Sequence, residues 1–150
     1  LKKYVKPLKF SIGLFCSECF NYEELFEKYL KEEVGLNPSE IMKMNIKGKM
    51  IIDSKSGKVE IPLKKLRVYA RPECRLCPDF SAEFADISVG GVGLEGWTLT
   101  IVRSARGEEI FKLALDSGFI EAKPVEKESK AIDLLVKLTK IKRRRFSKEQ

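Results

Sequence analysis

At 150 residues the chain is one domain or a domain cut from a longer protein, and a hydrophobic content of 43% with nine Phe is ample for a packed core. It contains no histidine, which removes the commonest general base, the Ser-His and Cys-His nucleophile pairs and His-containing metal sites, and so argues against the usual hydrolytic chemistry. Net charge is +7, from 29 basic and 22 acidic residues, and no apolar run approaches the ~18 residues of a membrane span, so a cytoplasmic protein with no membrane span is expected.

The chain opens with Leu1 and the basic Lys2-Lys3-Tyr4, which points to a processed chain or a fragment. Lys9 to Phe15 reads as a buried strand that runs straight into Cys16-Ser17-Glu18-Cys19. Asn21 is an N-cap, and Tyr22, Leu25, Phe26, Tyr29, Leu30 and Val34 recur at helical spacing, so residues 22–34 form an amphipathic helix ended by Gly35. Pro38 starts a short helical turn to Met42. Two apolar strands follow, Met44–Asp53 and Lys58–Leu63, joined as a hairpin by Ser54-Lys55-Ser56-Gly57.

Leu66 to Ala70 leads into Cys74-Arg75-Leu76-Cys77, which Pro72 and Pro78 bracket and stiffen. Ala85 to Val89 is a buried strand running into Gly90-Gly91-Val92-Gly93-Leu94-Glu95-Gly96. Gly91, Gly93 and Gly96 match the spacing of a dinucleotide fingerprint, but that fingerprint must open a helix. Trp97 to Ser104 is strand-like and rich in β-branched residues, so the glycines form a loop between strands. So many glycines imply close backbone approach, to a flat ligand or to neighbouring chain. Glu108 to Asp116 is a helix stopped by Gly118, Phe119 to Ala122 an edge strand, and Glu126 to Arg144 a final amphipathic helix.

Strands mingle with helices throughout, so the expected class is α/β or α+β, a mixed β-sheet flanked by helices. Residues 1–125 form the cysteine-bearing domain and 126–150 an amphipathic helix with a basic tail. Six cations lie between Lys137 and Arg145. No aromatic platform interleaves with them, so a solvated helix end is favoured over a nucleic-acid surface.

All four cysteines fall in the two Cys-x-x-Cys pairs, and each pair can present two sulfurs to one centre. No signal peptide is visible, which argues against disulfides. The residues leave zinc and a 4Fe-4S cluster open and lean mildly to the cluster. Phe20 and Pro78 follow the pairs where zinc knuckles commonly have glycine, Cys-Pro closes many cluster motifs, and Phe15, Phe20 and Phe80 could keep the site dry.

Taken in order, Ile12-Gly13-Leu14-Phe15-Cys16, then Cys74-x-x-Cys77-x-Asp79, then Ala85-Asp86-Ile87-Ser88-Val89-Gly90 with Gly93, and then Trp97-Thr98, Ile101-Val102-Arg103 and Gly107 resemble the C-terminal domain of the coenzyme F-420 (F420) hydrogenase/dehydrogenase beta subunit family. The resemblance covers nearly all of residues 8–125. It implies an oxidoreductase subunit that uses FAD and a 4Fe-4S cluster to move electrons between hydrogenase or dehydrogenase partner subunits and the deazaflavin F420. By motif, Cys16, Cys19, Cys74 and Cys77 are the implied cluster ligands. Gly90, Gly91, Gly93 and Gly96, with Trp97, Thr98 and Arg103, are implied to lie near the flavin or the substrate. Family proteins carry an N-terminal segment that helps build the flavin pocket, so the chain is not expected to hold FAD by itself. The competing reading is a zinc-stabilised basic module that binds nucleic acid.

Overall fold

The computed structural model describes residues 8–126 and 128–147. The basic opening Lys2-Lys3-Tyr4, Lys127 at the start of the expected last helix, and residues 148–150 of the tail lie outside the described residues. In chain order the elements are strand β1 (Ile12–Leu14), helix α1 (Glu23–Glu33), strands β2 (Ile41–Ile46), β3 (Lys49–Ser54) and β4 (Gly57–Pro62), strands β5 (Ile87–Gly90) and β6 (Leu99–Val102), and helices α2 (Ala105–Asp116) and α3 (Ser129–Phe146). Single helical turns at Pro38–Glu40, Leu63–Leu66, Arg67–Tyr69 and Pro72–Leu76 lie between them. The chain divides into two compact units. Glu18–Cys74 forms an insert, and the described residues up to Ser17 and from Arg75 onward form a split unit.

The insert is an antiparallel meander in the order β2-β3-β4. Inward positions alternate along the central strand β3, where Met50 and Ile52 are buried. They pack with Leu25 and Leu30 of α1 and with Leu36, Ile61 and Leu66. Each fully buried Leu or Ile contributes roughly 1.5–3 kcal/mol over an exposed one. Asn21 Oδ1 accepts from the Glu24 N–H (3.3 Å), as an N-cap should. α1 is wound wider than an α-helix, and the Val34 N–H reaches the Tyr29 carbonyl five residues back at 3.0 Å. The two-strand expectation for residues 44–63 is corrected to three strands. Lys47-Gly48 makes an additional tight turn, with Gly48 at φ +70, a conformation that glycine adopts without a Cβ clash.

In the split unit β1 runs parallel to β5, and β5 pairs antiparallel with β6, giving a mixed three-stranded sheet in the order β1-β5-β6. The mixed α/β class therefore holds, as two small sheets. β1 is shorter than the expected Lys9–Phe15 strand, because only Ile12, Gly13 and Leu14 find partners on β5. α2 starts before the expected Glu108, because Ser104 caps it. The Ser104 Oγ accepts from the Gly107 N–H (3.0 Å) and donates to Asp86 Oδ1 (2.7 Å). Asp86 is buried, and its other oxygen, Oδ2, accepts from the Ser11 N–H and Oγ at 2.8 and 3.0 Å. A buried carboxylate is tolerated only when its oxygens are bonded in this way.

Ala131 and Leu135 of α3 join Phe80, Val92 and Leu99 in the core of the split unit. Phe119–Ala122 is corrected from an edge strand to irregular chain, since no described strand pairs with it. No described helix is long and apolar enough to cross a membrane.

Candidate functional site

None of the four described cysteines is in a disulfide, so the thiols keep their donor capacity. In the insert, Cys19 and Cys74 meet across 55 positions of sequence, and the Cys19 N–H donates to Cys74 Sγ at 3.1 Å. The local fold forces the meeting. Phe20 forms an antiparallel bridge with Ala70, Asn21 N–H bonds to the Tyr69 carbonyl (2.8 Å), and Arg71 N–H bonds to the Cys19 carbonyl (2.8 Å). The turn Pro72–Leu76 then brings Cys74 back, its N–H on the Arg71 carbonyl at 3.0 Å. An N–H aimed at a sulfur is among the devices that set a metal–thiolate potential.

Cys16 and Cys77 belong to the split unit. The Cys16 N–H bonds to the Phe80 carbonyl (2.8 Å), and the Phe15 and Phe80 rings pack with centroids 5.9 Å apart. The Cys77 thiol donates weakly to the Asp79 carbonyl (3.6 Å). Asp79 Oδ2 accepts from the Glu83 N–H at 3.0 Å, while its buried Oδ1 has no hydrogen-bond partner among the described residues. Among the described residues no group of three or more Cys, Asp or Glu is gathered closely enough to hold a metal ion. The donor chemistry nonetheless fits a thiolate-bound centre. Four undisulfided thiols are present without histidine, and one already receives a backbone N–H.

The seven loop residues fall into separate environments. A Cβ on Gly90 would overlap the Phe15 ring and lie 2.5 Å from Phe15 Cβ, so this glycine answers a close approach of neighbouring chain. Gly91 has open space, and Gly93 and Gly96 take positive φ of 83° and 71°. Arg103 Nε donates to Ser88 Oγ (2.8 Å) and its Nη2 to the Ser81 carbonyl and Oγ (3.3 and 3.1 Å), which fixes one edge of its fork to the protein.

Gly96, Trp97 and Thr98 line a groove of about 470 Å³ in the split unit, with Phe111 of α2 and with Ile120 and Lys123 of the irregular chain. Trp97 is partly exposed, and the Lys123 ammonium stands 4.4 Å from its ring centroid. Glu121 and Glu128 also line the groove, and Glu128 Oε1 lies 3.9 Å from the Lys123 ammonium, so that charge already has a carboxylate partner. The partly exposed indole suits a planar ligand.

Two groups escaped the sequence reading. Lys123 lies just past the residues that read as an edge strand. Lys142 belongs to the basic run expected to be solvated, and that expectation is corrected: Lys142 is buried, and its ammonium donates to the Cys16 carbonyl at 2.8 Å. The signal was present, since Ala131, Leu135, Leu138 and Lys142 share one helical stripe. Arg143 is engaged as well, its Nη2 lying 3.1 and 2.9 Å from the two carboxylate oxygens of Glu83. Lys142 and Arg143, both among the six tail cations, are thus tied into the split unit, which reduces the basic surface a nucleic acid would need.

The family described as the C terminus of the coenzyme F420 hydrogenase/dehydrogenase beta subunit matches residues 1–128. The chain is 36% identical over 143 residues to the coenzyme F420 hydrogenase subunit beta of Methanothermobacter thermautotrophicus, covering 94% of this chain and 50% of that protein. It is also 36% identical to the coenzyme F420-dependent sulfite reductase of Methanocaldococcus jannaschii, covering 96% of this chain and 22% of that protein. Among solved structures, a chain of the F420-reducing [NiFe] hydrogenase complex from Methanosarcina barkeri superposes with a TM-score of 0.84 at 36% identity, covering 93% of this chain and 49% of that one. The chain therefore spans about half the length, or less, of these relatives.

Proposed function

Because the chain belongs to the coenzyme F420 hydrogenase/dehydrogenase beta subunit family, as its C-terminal region, we propose that it is the iron–sulfur electron-transfer part of an oxidoreductase subunit acting on F420. Cys16, Cys19, Cys74 and Cys77 are the proposed ligands of a 4Fe-4S cluster. The observation that carries this reading is the pairing of Cys19 with Cys74, residues of different Cys-x-x-Cys pairs, with the backbone N–H of Cys19 donating to Cys74 Sγ. A cluster there would supply single-electron storage, and FAD would convert between single electrons and the hydride that a deazaflavin exchanges.

The chain's own residues have distinct tasks in this proposal. The backbone around Cys19 and Arg71 orients two thiols, and Phe15 and Phe80 shield the approach to Cys16. Trp97 offers a stacking surface in the groove, where Gly96 and Thr98 let a flat ring come close beside the Lys123–Glu128 ion pair. Gly90, Gly91 and Gly93 shape the loop from behind, and Arg103 braces it against Ser81 and Ser88. F420 as substrate, FAD as cofactor and hydrogenase or dehydrogenase subunits as partners are proposed on the strength of the family match and of a relative named coenzyme F420 hydrogenase subunit beta, of which the chain covers about half. A cytoplasmic setting fits, since its reducing poise keeps such thiols available.

Protein produced and purified without oxygen should hold about four iron atoms and four acid-labile sulfides per chain, in keeping with a Cys₄ cluster. Stoichiometric zinc with no iron in the same preparation would overturn the proposal.

A further inference from the structure

Lys142 stands in the last turns of α3, and its side chain is buried with the residue 4% exposed. Its ammonium donates to one neutral acceptor, the Cys16 carbonyl, at 2.8 Å. Among the described residues it forms no ion pair: Glu83, on the 79–83 segment, is bound to Arg143. Taking an ammonium out of water against one neutral carbonyl is unfavourable unless an anion compensates it. The Cys16 peptide is also held from its other side, by the N–H bond to the Phe80 carbonyl. A fixed cation has therefore been placed on the backbone of a thiol residue, with no described carboxylate in ion-pairing distance of it.

We propose that Lys142 is a positioning and charge-compensating residue for the metal–thiolate centre at Cys16, raising the centre's reduction potential. This rests on the reading of Cys16 as a ligand. The physical cause is direct. A thiolate-bound cluster gains one unit of negative charge on reduction, and a fixed cation in a poorly solvated site favours the more negative state. The same logic explains why a stripe that is apolar at Ala131 and Leu135 ends in lysine.

The test is a redox titration, followed by electron paramagnetic resonance, of the anaerobically purified protein and three variants. Lys142→Gln removes the charge and keeps a donor for the Cys16 carbonyl, Lys142→Met removes both, and Lys142→Arg keeps the charge. With iron content unchanged, the Gln variant should show a reduced-to-oxidised ratio about tenfold lower at a fixed applied potential, a midpoint about 59 mV more negative for a one-electron couple. The Met variant should shift in the same direction, and the Arg variant should stay near the wild-type midpoint. Without metal, the Met variant should melt no lower than wild type, because an uncompensated buried charge has been removed. Full iron with an unchanged midpoint in either neutral variant overturns the role of Lys142 while leaving the cluster standing. Wild-type protein without iron overturns the reading of Cys16 as a ligand, and the inference with it.

Discussion

Gly90 and Gly91 are chain neighbours, yet the structure gives alanine opposite consequences at the two positions. At Gly90 the new Cβ would overlap the Phe15 ring and lie 2.5 Å from Phe15 Cβ. Phe15 Cβ is fixed to the backbone, so the ring cannot rotate out of the way cheaply, and the strand must move. Overpacking of this kind costs about 1–3 kcal/mol, and an overlap at a backbone-proximal atom belongs near the upper end. For a chain of this size about 2.5 kcal/mol lowers Tm by roughly 5–10 °C. At Gly91 nothing lies within 4 Å and φ is outside the left-handed region, so Gly91→Ala should change stability by no more than about 0.5–1 kcal/mol, with stabilisation expected from a less flexible unfolded chain. Urea unfolding followed by the fluorescence of Trp97, the only tryptophan in the chain and part of the same unit, reads both variants directly. Phe15 precedes Cys16, so Gly90→Ala should also lower bound iron. Equal midpoints for the two alanine variants would refute the steric argument.

Ile52→Ala, at the fully buried centre of β3, should cost about 2–5 kcal/mol, seen as a lower urea midpoint with an unchanged slope. Trp97→Ala should leave the fold within about 1 kcal/mol of wild type, since the ring is partly exposed, and weaken binding of flavin or F420 at least tenfold by isothermal titration calorimetry. Cys74→Ser should leave the thermal midpoint of metal-free protein nearly unchanged and lower the iron content of anaerobic preparations to less than half of wild type.

How much of this was legible in the sequence follows from which interactions are local. The hairpin at Ser54–Gly57, the helices Ala105–Asp116 and Ser129–Phe146 and the stop at Gly118 all depend on capping, turn chemistry and periodicity within a few residues, and each is present near its expected place. The extra turn at Lys47-Gly48 was missed because an apolar run reads the same whether or not the chain reverses inside it. Phe119–Ala122 looked like a strand because its residues favour one, but a strand needs a partner, and pairing is a tertiary fact. The spacing of the cysteines was visible. The contact between Cys19 and Cys74 was not, because it depends on the bridge of Phe20 to Ala70, fifty positions apart. Lys142 was misplaced because a charge at the end of a helix is usually solvated, and only its register with Ala131 and Leu135 marks it as buried.

The central claim is that these thiols hold an iron–sulfur cluster, and it is tested most directly by low-temperature electron paramagnetic resonance of dithionite-reduced protein kept free of oxygen. A reduced 4Fe-4S signal integrating to about one spin per chain, lost when Cys19 and Cys74 are both replaced by serine, is the predicted result. A silent spectrum from protein that carries one zinc per chain would contradict it.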